Sequence, residues 1–334
     1  MPFVPNAAAI EDLLSQLARA QTPLVLAGPA LANARGRALL RRFEEATRIP
    51  AIVMESPRGV NDPALGLLPE VLARADAVVL AGKDRDFTLK FGTAFASGCR
   101  VLDAGIELEH WLGPAAKKAW PASGWLDEVC AALRYRPAAW STLVSKAAGP
   151  LHPVEVGREV QKLLDAPDAV LVADGGEFGQ WAQATLSAPH RIINGPAGSI
   201  GAALPFAAAA KLARPGATVV AALGDGTFGF HCAELDTALR GGLAYVAIVG
   251  NDACWNAEHQ IQLRDYGRAR ALGCELLPAR YDRVAEGFGA HAEHVARPAE
   301  LSAALQRAAG AGRVACVNVM IERLPAPVFR RAQP

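Results

Sequence analysis

The sequence holds no apolar run approaching the roughly 20 residues of a membrane span, which argues against a membrane helix. Its start, Met1-Pro-Phe-Val-Pro-Asn6, has no basic stretch followed by an apolar core, so no secretory leader is expected. An excess of one charge sign is missing too. Formal charge is +1 with both signs mixed, which disfavours nucleic acid or an anionic membrane as the main partner. The six cysteines, at positions 99, 130, 232, 254, 274 and 316, include no Cys-x-x-Cys. Scattered thiols fit a reduced, cytoplasmic setting, most of them as small buried hydrophobes. Short-period repeats and low-complexity tracts are also absent. What is present is 334 residues, 51% of them hydrophobic, enough to bury the cores of about two domains of roughly 150 residues.

The chain alternates helical and strand-like segments. Ile10, Leu13, Leu14 and Leu17 recur at helical spacing, as do Leu39, Leu40 and Phe43. Short apolar runs at 23–27, 51–54, 77–80 and 100–102 read as strands, and so do 169–173, 191–193, 218–223, 245–249 and 314–320. This alternation predicts an α/β protein with two Rossmann-like, doubly wound domains around parallel sheets. The expected division is a first domain over 1–135, a linker over 136–150 and a second domain over 151–330.

The strongest motif lies in the second half. The apolar run 218–223 leads into Gly224-Asp225-Gly226-Thr227, and the run 245–249 leads into Gly250-Asn251-Asp252. A helix is expected between them at 234–239. Strand, tight glycine turn, helix and strand bring Asp225 and Asp252 to one edge of a parallel sheet. Two oxygen ligands beside a helix N-terminus suit a hard divalent cation carrying a diphosphate. The 27-position separation of the two aspartates resembles the thiamin diphosphate fingerprint of the acetolactate synthase and 2-hydroxyacyl-CoA lyase-like group.

That resemblance covers nearly the whole chain, including Glu55 to Pro63 and Gly82 to Gly92 in the first half. It implies a middle domain followed by a diphosphate-binding domain. It also implies Mg²⁺ held by Asp225, by Asp252 where the group commonly has Asn, and by the backbone carbonyl of Cys254. Gly224, Gly226, Thr227 and Asn251 are expected at the cofactor, together with Gly175, Gly176, Glu177 and Phe178 of a second phosphate loop. Phe178 stands where the group often has His, and it cannot donate a hydrogen bond. Ile200 is the implied apolar wedge under the bent cofactor, and the Gly198 carbonyl an acceptor for its amino group. Trp255, Asn256 and His259 are the substrate-facing candidates. His231 is expected to be structural. FAD or ADP occupies the middle domain in some members, and in others that domain is empty. Here Gly28-Pro-Ala-Leu31 lacks a full Gly-x-Gly-x-x-Gly, so a dinucleotide turn is unsupported, and Asp103, after the strand 100–102, fits a ribose contact no better than a structural role.

Members of the group usually carry a pyrimidine-binding domain as well. A glutamate of that domain hydrogen-bonds N1′ of the aminopyrimidine, favouring the tautomer whose N4′ takes the proton from the thiazolium C2. No such domain is recognisable in this sequence. A second polypeptide is therefore expected to supply it, in a hetero-oligomer built on a dimer of pyrimidine–diphosphate pairs. The implied chemistry is 2-keto acid decarboxylation with carboligation, or 2-hydroxyacyl-CoA lysis, on a small keto acid, aldehyde or acyl-CoA. The alternatives are a non-catalytic thiamin diphosphate-binding or scaffold protein, and a fragment of a full-length enzyme.

Overall fold

Runs of aliphatic residues too short for helices become the strands of two parallel sheets in the computed structural model, which describes residues 6–121, 123–195 and 197–331. The chain forms two units. The first runs to Tyr135 and regains residues 329–331, and the second spans Arg136–Val328.

In the first unit, α1 (Ala7–Ala18) precedes β1 (Pro23–Ala27), α2 (Ala34–Thr47), β2 (Ala51–Val53) and α3 (Leu68–Leu72). Then come β3 (Ala77–Ala81), β4 (Arg100–Ala104), α4 (Glu109–Lys117) and α5 (Trp125–Arg134). The strand order is β2-β1-β3-β4, all parallel. β1 and β3 are buried along their whole length, as inner strands covered on both faces must be. Asn6 and Asn33 start α1 and α2 by accepting from the amides of Ala8 and Gly36. Ile10, Leu14 and Leu17 then meet Leu39, Leu40 and Phe43 in one core.

The second unit opens with α6 (Pro153–Leu164), β5 (Val170–Ala173), α7 (Gly176–Thr185), β6 (His190–Ile193) and α8 (Ala203–Ala213). It continues with β7 (Val219–Gly224), α9 (Asp225–His231), α10 (Glu234–Arg240), β8 (Val246–Asn251) and α11 (Asn256–Tyr266). It ends with α12 (Tyr281–Phe288), β9 (His291–Val295), α13 (Pro298–Ala309) and β10 (Ala315–Met320). Its six strands lie in the order β6-β5-β7-β8-β10-β9, again all parallel. Alternate residues feed two cores, one on each face. Leu171, Val220 and Ile248 point to one, while Val172, Leu223 and Val249 point to the other.

Three local features add to the sequence reading. The segment 136–150 packs on the second unit rather than bridging freely. Trp140 packs against Trp181 with ring centroids 5.5 Å apart and planes tilted by 43°, and the Ser145 amide donates to Glu155. Asp225 opens α9 directly after β7. The edge strand β9, His-Ala-Glu-His-Val, had too little apolar character to be read as a strand.

Candidate functional site

Sheet growth reverses at β5. The next strand, β6, pairs on one side of it, and β7 pairs on the other. The connections leaving the C-terminal ends of β5 and β7 therefore diverge, which opens the crevice where open α/β sheets take ligands. The Gly224 amide donates to the Gly175 carbonyl at 3.1 Å and ties the two loops together at the floor. α7 and α9 both begin here, at Gly176 and Asp225. First-turn amides have no partner within their helix, so two helix N-termini offer donors and positive potential suited to a diphosphate.

Close approach explains the small residues. A Cβ on Gly175 would lie 2.3 Å from Cγ2 of Ile200, so Ile200 is seated directly on that loop. Ile200 is carried there by a clamp. Asp174 accepts from the Gly175 amide at 2.7 Å with one oxygen, and from Gly201 at 3.0 Å and Ala203 at 2.7 Å with the other. Burial pushes the Asp174 carboxyl up, and the amides of Ala203, Gly175 and Gly201 offset part of that rise. His231 places Nδ1 2.9 Å from the Gly201 carbonyl and braces the same loop.

Asp225 is 2% exposed. Its Oδ1 accepts from the Gly226 amide at 2.8 Å, while Oδ2 is buried with no hydrogen-bond partner. The Thr227 hydroxyl is buried and equally without a partner. Burial raises the Asp225 pKa to about 6, although the amides of Gly226, Cys254 and Ala253 pull it down. Those last two amides belong to the turn after β8, which pairs with β7, so the two acidic strand ends lie side by side. Burial, then the Asp225 charge, raises the Asp252 pKa to about 7. Ala253 holds a left-handed φ of +53°, uncommon for a residue with a Cβ, in the turn that aims these amides. Arg323 occupies the carbonyls of Asp252 and Ala253 at 2.9–3.1 Å, and the Leu276 amide also takes that of Ala253. Among the described residues, the Cys254 carbonyl carries no hydrogen bond.

These observations fit the expected group. A buried carboxylate oxygen and a buried hydroxyl without partners, a second carboxylate beside the first and a free carbonyl form an all-oxygen donor set for a hard divalent cation. Such an ion would lower both raised carboxylates. Gly176, Gly226 and the two helix starts lie together at the C-terminal ends of β5 and β7.

The remaining candidates make contacts of their own. Phe178 is 5% exposed and belongs to the core. A Cβ on Gly250 would fall 2.2 Å from its ring, so Phe178 packs on β8 and not in an open cleft. Asn251 is fully buried. Its amide nitrogen donates to the Ala279 carbonyl and to Asn318, and its oxygen accepts from Ala253, which leaves the side chain committed to β10 and the turn. Glu177 is buried and accepts from Gln180 at 2.6 Å. Asn256 is 2% exposed and donates to Asp252 at 2.9 Å, positioning the carboxylate instead of facing outward. Trp255 lies over Gly226 and meets Phe230 edge-on at 5.8 Å. His259 turns towards Cys254 and Glu275. Gly198 is half-buried with φ +75° on the Ile200 loop. In the first unit Asp103 is engaged by Arg85 at 2.8 Å, and Gly28 packs onto Gly82.

Asp174 and Arg323 were not singled out from the sequence. Asp174 gave a signal, a carboxylate at the end of a buried strand. Arg323 gave none, because its partners lie 48 to 71 positions away.

Residues 174–319 match the family described as thiamine pyrophosphate enzyme, C-terminal TPP binding domain. The chain is 33% identical over 346 aligned positions to the acetolactate synthase large subunit IlvG of Mycobacterium tuberculosis, an alignment covering 95% of this chain and 62% of that protein. It is 30% identical over 321 positions to 2-hydroxyacyl-CoA lyase 2 of Homo sapiens, covering 84% of this chain and 49% of that one. The chain thus spans between about half and three-fifths of the length of these relatives. Among the described residues, no helix is long and apolar enough to cross a membrane.

Proposed function

The chain belongs to the acetolactate synthase and 2-hydroxyacyl-CoA lyase-like group of thiamin diphosphate proteins, and on that premise we propose that it holds the Mg²⁺-diphosphate half of a site that breaks or forms a C–C bond beside a carbonyl. The observation that carries this reading is the pair Asp225 and Asp252 at the switch point, with one Asp225 oxygen and the Thr227 hydroxyl buried and unpartnered. When bound, the cofactor supplies a carbon nucleophile and an electron sink. This chain's own residues do the holding. Asp225, Asp252 and the Cys254 carbonyl take the ion. The starts of α7 and α9 with Thr227 take the phosphates, and Asn256 fixes the Asp252 carboxylate. The Asp174 clamp sets the height of Ile200 beneath the bound group.

The pyrimidine-facing half, with the glutamate that activates the ring, comes in this reading from a second polypeptide. The aromatic rim supports it: Phe230, beside Trp255 and Gly201, is 55% exposed, an apolar edge suited to being covered by another domain. The chain purified alone is expected to show little thiamin-dependent turnover of 2-keto acids or 2-hydroxyacyl-CoA. Adding the companion that co-purifies from the native source, identified by mass spectrometry, should restore it. Glu→Gln at the companion's activating position should remove most activity and leave assembly intact. Ordinary enzyme rates from the chain shown free of any companion would refute the divided site. Recovery of only a longer single chain would establish the fragment reading instead.

A further inference from the structure

Beside the all-oxygen site lies a cluster of different chemistry. The Cys254 sulfur, a ring nitrogen of His259 and a carboxylate oxygen of Glu275 all lie within 4.8 Å of one another. They come from three pieces of chain locked together by backbone. Cys254 and Glu275 are partners in an antiparallel bridge, flanked by Trp255 N–H to the Cys274 carbonyl at 2.8 Å and Leu276 N–H to the Ala253 carbonyl at 2.9 Å. The His259 amide donates to the Trp255 carbonyl at 2.9 Å, which winds the first turn of α11 back over the same bridge. Cys254 is buried, His259 half-buried and Glu275 exposed.

The geometry points to a second metal-binding site, built from Cys254, His259 and Glu275 and suited to a borderline-soft divalent cation of the zinc class. Sulfur and imidazole ligands select against Mg²⁺, which takes oxygen. Three protein ligands with a fourth position open to solvent is a familiar arrangement for such an ion. Tetrahedral bonds of about 2.0–2.3 Å put ligand atoms roughly 3.3–3.8 Å apart. The cluster therefore needs to close by only about 1 Å at its widest, within reach of the exposed Glu275 and the half-buried His259. Arg323 contacts both Glu275 oxygens, at 2.7 and 2.8 Å. Each oxygen has a second lone pair, and a hydrogen-bonded partner behind a ligating carboxylate is the usual pattern. A thiolate and a carboxylate together neutralise a divalent ion, so Arg323 would face no net positive charge. The inference stands whether or not the diphosphate reading does.

Cobalt(II) tests it on the full chain, because thiolate-to-cobalt charge transfer absorbs in the near ultraviolet and an all-oxygen site cannot produce that band. The band should appear, saturate at one ion per chain, yield to Zn²⁺ and ignore excess Mg²⁺. It should survive Asp225→Asn and vanish in Cys254→Ser. If Cys254→Ser fails to fold, His259→Ala decides, with cobalt affinity expected to fall at least about tenfold, as for loss of a group that tunes a metal site. No sulfur band in folded wild-type chain, a band that survives Cys254→Ser, or unchanged affinity in His259→Ala overturns the proposal.

Discussion

Asp225 and Asp252 set the behaviour of the site with pH. Both carboxyls are raised, to about 6 and about 7, so without an ion the folded chain holds protons that the unfolded chain releases. A raised carboxyl contributes stability at low pH that is lost as pH rises through its folded value. A divalent cation competes with those protons, so its effect has the opposite sign. Mg²⁺ with thiamin diphosphate should therefore stabilise the chain far more at pH 8 than at pH 5. Thermal melts with and without Mg²⁺ across that range check this. Asp225→Asn should abolish the Mg²⁺-dependent shift at every pH, and an intact shift in that variant removes the metal assignment. The acidic pair was legible in the sequence because a motif fixes its position relative to two strand ends. The roles of Asn251, Asn256 and Phe178 were not, because the same sequence spacing allows a side chain to face either the crevice or the core. Asn251 is held between β8 and β10, and Phe178 packs against Gly250.

Among the elements, the β5–α7 connection does the positioning. Asp174 holds three amides from two separate loops, and among the described residues no other side chain donates to or accepts from all of them. Asp174→Ala leaves those three amides without their acceptor, and with each unsatisfied group costing about 1–3 kcal/mol, a loss of roughly 3 kcal/mol or more is expected. Urea denaturation measures the loss, and cofactor affinity should fall with it as Ile200 leaves its seat on Gly175. Asp174→Asn keeps an acceptor and should recover part of both. Unchanged stability and affinity in the alanine variant would remove the clamp from the account. Strands were the most legible elements, since inner strands of a parallel sheet are unbroken aliphatic runs, as in 77–81 and 219–223. β9 escaped because it is an edge strand with two histidines and a glutamate. Two of these pair outward, His291 with Glu293 and Glu293 with Arg307.

At the scale of the whole chain, each unit has a core of its own, and every group assigned to the cation and diphosphate lies in the second. The first unit is closed by local ties of the same kind. Burial raises Asp76, but its bonds to the Gln21 and Thr22 amides and the Thr22 hydroxyl outweigh that and hold its carboxyl below the usual range. That stability is present above the ordinary aspartate value and is lost only as pH falls through the lowered one. Near neutral pH both units should therefore be folded, and each should unfold cooperatively on its own terms. Ligand bound to one native unit shifts that unit's transition by mass action, about 2.7 kcal/mol at a concentration of 100 Kd. For a unit of this size the shift corresponds to roughly 5–10 °C. The tryptophans divide evenly for the purpose: Trp111, Trp120 and Trp125 report the first unit, and Trp140, Trp181 and Trp255 the second. Trp→Phe sets that silence one group at a time should show Mg²⁺ and thiamin diphosphate moving the second unit's melt while the first stays in place. A shift reported by Trp111, Trp120 and Trp125 in a melt distinct from that of the second unit would mean that the first unit also holds cofactor, and the assignment of the whole binding site to residues 174–256 would have to be abandoned; one shared melt would instead remove the independent unfolding of the two units.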